Sequence, residues 1–138
     1  MEINMLSART KFLIVGDIEN LQKQLKQILK DLGFLNVHET KDSQVALQKL
    51  VADDFDFIIS SWHMLSMDGL SILRSIRAIE KLNGVPVLMV ATEIKKKHIV
   101  EAVQAGADGF LASPFTATVL FEKLDLIVRN HVSSISEN

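Results

Sequence analysis

The chain contains no cysteine among its 138 residues, which excludes disulfide bonds, cysteine-ligated zinc and thiol catalysis. An excess of charge of one sign is also missing, because 15 Lys and Arg residues are balanced by 17 Asp and Glu residues. This balance gives no global attraction to nucleic acid or to anionic lipid. No hydrophobic run approaches the length of a membrane span, and the N-terminal residues carry no apolar signal-peptide core. We therefore expect a cytoplasmic protein without nucleic-acid or membrane partners.

The residues that are present predict one globular domain. Hydrophobic residues make up 48% of the chain and charged residues 23%, which is typical of folded proteins. A chain of this length can bury one substantial core. We predict that the domain spans residues 11–130 and follows an N-terminal tail at 1–10. The polar residues 131–138 are predicted to be a tail or the start of a linker.

Short apolar runs alternate with helical patterns along the chain. Their nearly continuous apolar character predicts strands of a sheet that is covered on both faces; the runs lie at 11–16, 34–39, 55–60, 85–90 and 109–113. Apolar residues at helical spacing predict five intervening or following helices: Leu21, Leu25, Ile28, Leu29 and Leu32; Val45, Leu47, Leu50 and Val51; Leu70, Leu73 and Ile76; Ile99, Ala102 and Val103; Leu120, Leu124, Ile127 and Val128. Gly33 is predicted to end the first helix.

This alternation predicts an α/β fold with a doubly wound parallel sheet and helices on both faces. In such sheets ligands bind beyond the carboxyl ends of the strands. The residues at those ends are Gly16, Asp17, Ser61, Ala91, Thr92, Ser113 and Pro114. These positions therefore form the candidate site.

Several phrases of the sequence resemble one family. "KFLIVGD", "LKDLGFLNVHE", "FIISSWHM", "MDGL", "PVLMV" and "AVQAGADGFLASPF" are similar, in wording and spacing, to the CheY-like receiver domains of two-component response regulators. The likeness covers residues 10–130 and is greatest to the single-domain chemotaxis type. It implies a flavodoxin-like (βα)5 sandwich with strand order 2-1-3-4-5.

The resemblance also implies a phosphoryl-transfer site, and the chain departs from it. A working receiver holds Mg²⁺ with two acids after the first strand and an acceptor aspartate after the third. A hydroxyl after the fourth strand and a lysine after the fifth complete the set. Four of these five positions differ here, where the chain has Gly16, Ser61, Ala91 and Ser113, and only Asp17 is retained.

These replacements predict an inactive crevice. An unactivated serine hydroxyl is a poor nucleophile, and one carboxylate does not replace the charge that three provide for Mg²⁺. Removing neighbouring carboxylates also relieves repulsion of roughly 4 kcal/mol for a pair about 4 Å apart at an effective dielectric near 20. We therefore predict that the protein is not an enzyme, has no cofactor and binds Mg²⁺ weakly or not at all.

A protein partner is predicted on another surface. Three consecutive lysines, Lys95 to Lys97, begin the fourth helix, where they are either a solvated helix start or a basic docking patch. In the family, the face built from the fourth helix, fifth strand and fifth helix receives partners. The residues that map onto that face are Lys95, Lys96, Ile99, Phe110 and Lys123. Self-association of the chain is left open.

Four smaller predictions concern two aromatic side chains, one peptide bond and one acidic turn. Phe110 occupies the family's switch aromatic position and is expected inward in one rotamer, because Ala91 offers apolar room. Trp62 is expected to be exposed or half-exposed. The resemblance implies a cis bond between Ser113 and Pro114. The acidic residues at 53, 54 and 56 are interpreted as a solvated turn and not as a cation site.

Three functions compete for these features. The sequence favours a receiver that binds a protein partner without aspartyl phosphorylation. A conventional phosphorelay acceptor that uses a replacement residue is the alternative, as is the regulatory domain of a longer protein with an output module, such as a DNA-binding one. A hydrolase triad of Asp17, Ser61 and His63 is disfavoured, because the strained Gly-x-Ser-x-Gly elbow is missing and no oxyanion hole is evident.

Overall fold

The computed structural model describes residues 6–16, 19–63 and 68–136, without the side chains of residues 19–20 and 131–136. Five strands alternate with five helices in this part of the chain. The strands are β1 (Lys11–Val15), β2 (Asn36–Thr40), β3 (Phe57–Ser61), β4 (Val87–Ala91) and β5 (Gly109–Ala112). The helices are α1 (Glu19–Asp31), α2 (Ser43–Ala52), α3 (Gly69–Ala78), α4 (Lys96–Ala105) and α5 (Ala117–Ser136), and a 3-10 turn spans Glu80–Leu82.

The strands form one parallel sheet in the order β2-β1-β3-β4-β5. In its middle, Ile59 lies beside Ile14 of β1 and beside Leu88 of β4. The crossover connections place helices on both faces, as parallel pairing requires. The predicted fold class and strand order are therefore confirmed.

The burial of each strand follows its place in the sheet. All five residues of β3 and of β4 are buried, and so are the last four of β1. The edge strands β2 and β5 are only partly buried. The prediction of a sheet covered on both faces thus holds for the three central strands. The second strand begins later than predicted, because Phe34 packs into the core before β2 starts.

Two apolar clusters sandwich the sheet. Phe12 and Ile14 of β1 point into the cluster shared with α1 and α5, whereas Leu13 and Val15 point into the cluster shared with α2 and α3. This division follows from the two-residue period of a strand. Because both faces are filled, only the ends of the strands remain free to form a site.

The predicted apolar faces of the helices are correct for α1 and α5 but only partly correct for α2 and α4. Leu21, Leu25 and Leu29 of α1 are buried, and Gly33 follows that helix with a φ of +99°. A positive φ is the backbone conformation in which glycine ends helices most readily.

In α2, Val45 and Val51 are exposed by 37% and 53%, because Ser43, Ala46 and Leu50 face the sheet. In α4, Ala102 is fully buried, but Ile99 and Val103 are exposed by 38% and 63%. A small residue therefore makes the inward contact of α4.

Helix α5 is longer than predicted, and the acidic turn after α2 is paired with lysines. Helix α5 continues to Ser136, beyond the domain boundary predicted at residue 130. The turn after α2 is tied by lysines, since Asp53 lies 3.4 Å from Lys11 and Asp54 lies 3.4 Å from Lys81. Among the helices that the structure describes, none combines the length and apolar character needed to cross a bilayer.

Candidate functional site

The parallel sheet brings the predicted crevice positions to one edge. Gly16 directly follows β1, Ser61 and Ala91 are the last residues of β3 and β4, and Ser113 directly follows β5. Asp17, the fifth predicted position, lies outside the described residues. Four of the five positions can therefore be placed.

Gly16 and Ser61 are packed against each other. A Cβ atom added to Gly16 would lie 3.0 Å from the Cβ of Ser61. The backbone N–H of Gly16 donates to the carbonyl of Thr40 at 3.0 Å, which fixes the end of β1 against β2. An acidic side chain at position 16 would therefore require Ser61 to move by a few tenths of an ångström.

The hydroxyl of Ser61 is engaged by its own loop. Ser61 is 5% exposed, and its Oγ donates to the backbone carbonyl of His63 at 2.9 Å. The imidazole of His63 is not the acceptor, and the residue is exposed at the rim. A nucleophilic serine requires a base that accepts its proton, and this hydrogen bond supplies none. The geometry thus gives no support to a hydrolase triad.

The remaining two positions close the crevice with backbone contacts. Ala91 is 2% exposed, and its carbonyl accepts from the backbone N–H of Ser113 at 2.8 Å. The peptide bond between Ser113 and Pro114 is cis, as the resemblance implied. Neither Ala91 nor Ser113 offers a positive charge to an incoming phosphoryl group.

The four described crevice positions therefore contain no ionisable side chain. Across residues 6–16, 19–63 and 68–136, no three His, Asp or Glu side chains are placed to hold a metal ion. Mg²⁺ prefers carboxylate and other oxygen ligands, and the carboxylates of the family's site are missing from these positions. Weak or absent Mg²⁺ binding stays a prediction, because Asp17 lies outside the described part.

Trp62 is buried, and the prediction that it is exposed or half-exposed is wrong. Its side chain is 6% exposed, because rings from two other elements cover it. The Phe110 ring lies 5.3 Å from the Trp62 ring, and the His98 ring lies 5.4 Å from it. Phe110 is half-buried and packs against the same apolar cluster as Trp62. Phe110 thus points inward as predicted; its restriction to one rotamer stays a prediction.

The predicted docking residues lie on three elements, with Phe110 on β5, Lys123 on α5 and the others at the start of α4. Lys95 and Lys96 are exposed, Ile99 is 38% exposed, and Phe110 and Lys123 are half-buried. Lys95 precedes α4 as its N-cap and makes no capping hydrogen bond through its side chain.

The sequence did not predict the exposure of two apolar residues of α4. Val100 and Val103 of α4 are exposed by 47% and 63%. The local apolar pattern of α4 gives no signal for this exposure, because it does not show which apolar residue meets the core.

Comparison with known proteins places this geometry in a family. A family model described as "Response regulator receiver domain" matches residues 12–125. Among curated proteins, the chain is 45% identical to Chemotaxis protein CheY-3 of Vibrio cholerae serotype O1 over 123 residues, which are 89% of this chain and 95% of the relative. It is also 45% identical to Chemotaxis protein CheY of Pseudomonas aeruginosa over 117 residues, which are 85% of this chain and 94% of that protein.

Solved structures agree in fold. The chemotaxis protein CheY4 of Vibrio cholerae superposes with a TM-score of 0.81 at 29% identity, covering 86% of this chain and 98% of that one. The receiver domain of the Pseudomonas aeruginosa sensor histidine kinase PA1611, solved with a magnesium ion in its active-site cleft, gives 0.79 at 26% identity, covering 87% and 98%. The chain therefore belongs to the response regulator receiver domain family.

Proposed function

We propose that this receiver domain acts in signal transduction as a protein-interaction module that does not depend on aspartyl phosphorylation, and that it is not an enzyme. One observation carries the proposal: the described crevice positions hold no carboxylate and no lysine, and the Ser61 hydroxyl donates to the carbonyl of His63. Receiver domains bind protein partners, and the proposed docking surface lies apart from the crevice positions.

Phosphoryl transfer depends on positioning and charge stabilisation more than on covalent chemistry by the protein. The crevice residues Gly16, Ser61, Ala91 and Ser113 offer neither a metal-binding carboxylate nor a cation for the transferred oxygens. A phosphate on Ser61 would be a stable phosphoester, which lacks the ready hydrolysis of an acyl phosphate. Both the phosphorylation of Ser61 and the later removal of its phosphate are therefore unfavourable.

The surface proposed for the partner is built from α4, β5 and α5. It combines the exposed amines of Lys95 and Lys96 with the exposed apolar side chain of Ile99, and it includes Phe110 of β5 and Lys123 of α5. An apolar centre with a charged rim is the usual composition of a protein interface. The names of the similar curated proteins support chemotaxis as the pathway, and a cytoplasmic location is part of the same proposal. Self-association of the chain is an open alternative on the same face.

The proposal is tested with a small phosphodonor. The protein is incubated with acetyl phosphate or phosphoramidate and Mg²⁺, and its intact mass is measured beside a receiver that retains its acceptor aspartate. We expect the control to gain one phosphoryl group and this protein to gain none. A gain that hydroxylamine removes would instead establish the alternative, a conventional phosphorelay acceptor.

The docking face is tested with a pair of matched variants. Lys95→Glu combined with Phe110→Ala is expected to lose a partner identified by cross-linking, whereas Lys30→Glu on the exposed side of α1 is expected to retain it. Equal binding of that partner by both variants would place the interface elsewhere on the domain.

A further inference from the structure

Trp62 directly follows β3, and its backbone is hydrogen-bonded on two sides. Its backbone N–H donates to the carbonyl of Val90 at 2.8 Å, which continues the pairing of β3 with β4 by one residue. Its own carbonyl accepts from the N–H of Gly69 at 2.8 Å, which ties it to the first turn of α3. The backbone of Trp62 is thus held from two sides.

Gly69 allows this close approach. A Cβ atom at Gly69 would lie 2.6 Å from the Cα of Trp62 and 2.6 Å from the carbonyl oxygen of Ser61. Any other residue would force α3 and the tip of β3 apart. The backbone of Trp62, from which its ring projects, is therefore fixed by close packing against Gly69.

The Trp62 ring contacts rings from two other elements. The Phe110 ring of β5 lies 5.3 Å away at an interplanar angle of 54°, and the His98 ring of α4 lies 5.4 Å away at 39°. These separations fall within the range in which aromatic rings attract each other. Trp62 thus connects the tip of β3 to both α4 and β5.

Helix α4 has few other anchors near its start. Its N-cap residue Lys95 makes no side-chain hydrogen bond, and Ala102 is the residue of α4 that is fully buried. His98 lies in the first turn, and its Nδ1 is buried without a hydrogen-bond partner among the described residues. Ring packing against Trp62, rather than hydrogen bonding of Nδ1, therefore accounts for the inward position of His98.

The geometry points to Trp62 as the positioning residue that, with His98 and Phe110, holds the docking face in one arrangement without a phosphate. We call these three residues the aromatic brace. The inference rests on the proposed function for its meaning, because the brace fixes the same α4–β5 surface that is proposed to receive the partner. In this arrangement the first turn of α4 and the Phe110 side chain are coupled through the Trp62 ring.

Coupling through Trp62 is tested from the His98 end, where truncation leaves the core intact. In His98→Ala, we expect the amides of residues 98–101 to exchange with solvent about fivefold faster, because one ring contact is lost. The ring resonances of Phe110 are also expected to shift, although Phe110 lies on a different element. Both effects are measured by NMR on the full chain without phosphodonor.

Two control variants separate the brace from general loosening. His98→Phe keeps a ring at the position and is expected to return both readouts to within about twofold of the unmodified protein. Val100→Ala changes an exposed residue of the same helix and is expected to leave the ring resonances of Phe110 unchanged. The amides of Ile58 and Ile59 in β3 are expected to keep their exchange rates.

Three results would overturn the inference: an unchanged Phe110 spectrum in His98→Ala, a His98→Phe variant that behaves like His98→Ala, or equal acceleration of exchange in β3. Each of these is observed without phosphodonor. The mass measurement with acetyl phosphate tests the proposed function separately. A protein that is phosphorylated would contradict the proposed function but leave the aromatic brace untouched. A protein that is not phosphorylated but shows no coupling between His98 and Phe110 would contradict the brace alone.

Discussion

The two ends of the sheet are held by different interactions. At the end where β4 and β5 begin, the Arg77 guanidinium donates to four backbone carbonyls and to one carboxylate: those of Gly106 at 3.0 Å, Leu82 at 2.9 Å, Asn83 at 3.2 Å, Val85 at 2.8 Å and Asp108 at 3.0 Å. Asp108 also accepts from the backbone N–H of Val87 at 2.8 Å. Burial lowers the pKa of Arg77, and the charge of Asp108 opposes that effect.

At the end where the strands finish, close packing replaces charge. Gly69 approaches Trp62 and Ser61 so closely that no Cβ fits, and Gly16 lies against the Cβ of Ser61. The described crevice positions carry no ionisable group. A charge is therefore retained at Arg77, where it satisfies backbone groups, whereas the four described crevice positions carry none.

The largest effect is expected at the charged end. Arg77→Ala should lower the free energy of unfolding by about 3 kcal/mol, because it removes the guanidinium donor from several backbone carbonyls and leaves the Asp108 carboxylate without its counter-charge. Urea unfolding measures this loss. Arg74→Ala, an exposed arginine of the same helix, should change stability by less than about 0.5 kcal/mol. Similar losses in both variants would remove the distinction between the two ends.

The packed end is tested by adding one methyl group. Gly69→Ala should cost about 2 kcal/mol, because the new Cβ meets the backbone of Trp62 and Ser61 at 2.6 Å. Gly84→Ala is the matched control, since nothing lies within 4 Å of its added Cβ. The melting temperatures of both variants measure the two losses of stability. A neutral Gly69→Ala would mean that α3 can shift away from β3 at little cost.

Restoring one acid is expected to have a smaller effect on stability. Ser61→Asp should cost about 1 kcal/mol, because a carboxylate is placed at a buried position beside no compensating cation. Phosphorylation should stay inefficient, which intact mass after acetyl phosphate treatment reports.

A fourfold variant sharpens the same experiment. Gly16→Asp, Ser61→Asp, Ala91→Thr and Ser113→Lys together restore the residue types of the family's site and should allow modification. Efficient modification of Ser61→Asp alone would contradict the electrostatic explanation of the inactivity proposed for the crevice.

The smallest effect is expected from magnesium. Millimolar Mg²⁺ should leave the melting temperature and the fluorescence of Trp62 nearly unchanged, because the described crevice positions offer no carboxylate. Trp62 is the single tryptophan of the chain, and it directly follows Ser61. A saturable fluorescence change would show that Asp17 and backbone carbonyls suffice for a metal site.

Much of the fold and of the crevice could be predicted from local patterns. The five strands were located to within about two residues, because apolar runs mark central strands whatever their neighbours are. Ser61 and Ala91 were assigned correctly to the carboxyl ends of β3 and β4, since the end of an apolar run marks the end of a buried strand.

The errors concern residues whose burial depends on distant contacts. The predicted apolar set of α4 consists of Ile99, Ala102 and Val103, but of these three Ala102 alone is buried. Nothing in the local pattern of α4 distinguishes the buried residue from the two exposed ones, because all three are apolar residues at helical spacing. Trp62 is predicted to be exposed or half-exposed, but it is buried by rings from positions 36 and 48 residues later in the chain.

The sequence by itself determined the order of strands and helices and the absence of acids and lysine from the four described crevice positions. These properties depend on residue type and on spacing along the chain. Only the tertiary structure decided that Trp62 is buried between His98 and Phe110 and that α4 exposes its larger apolar residues. Both depend on which side chains meet across the fold, and a meeting of distant residues leaves no periodic signal in the local sequence.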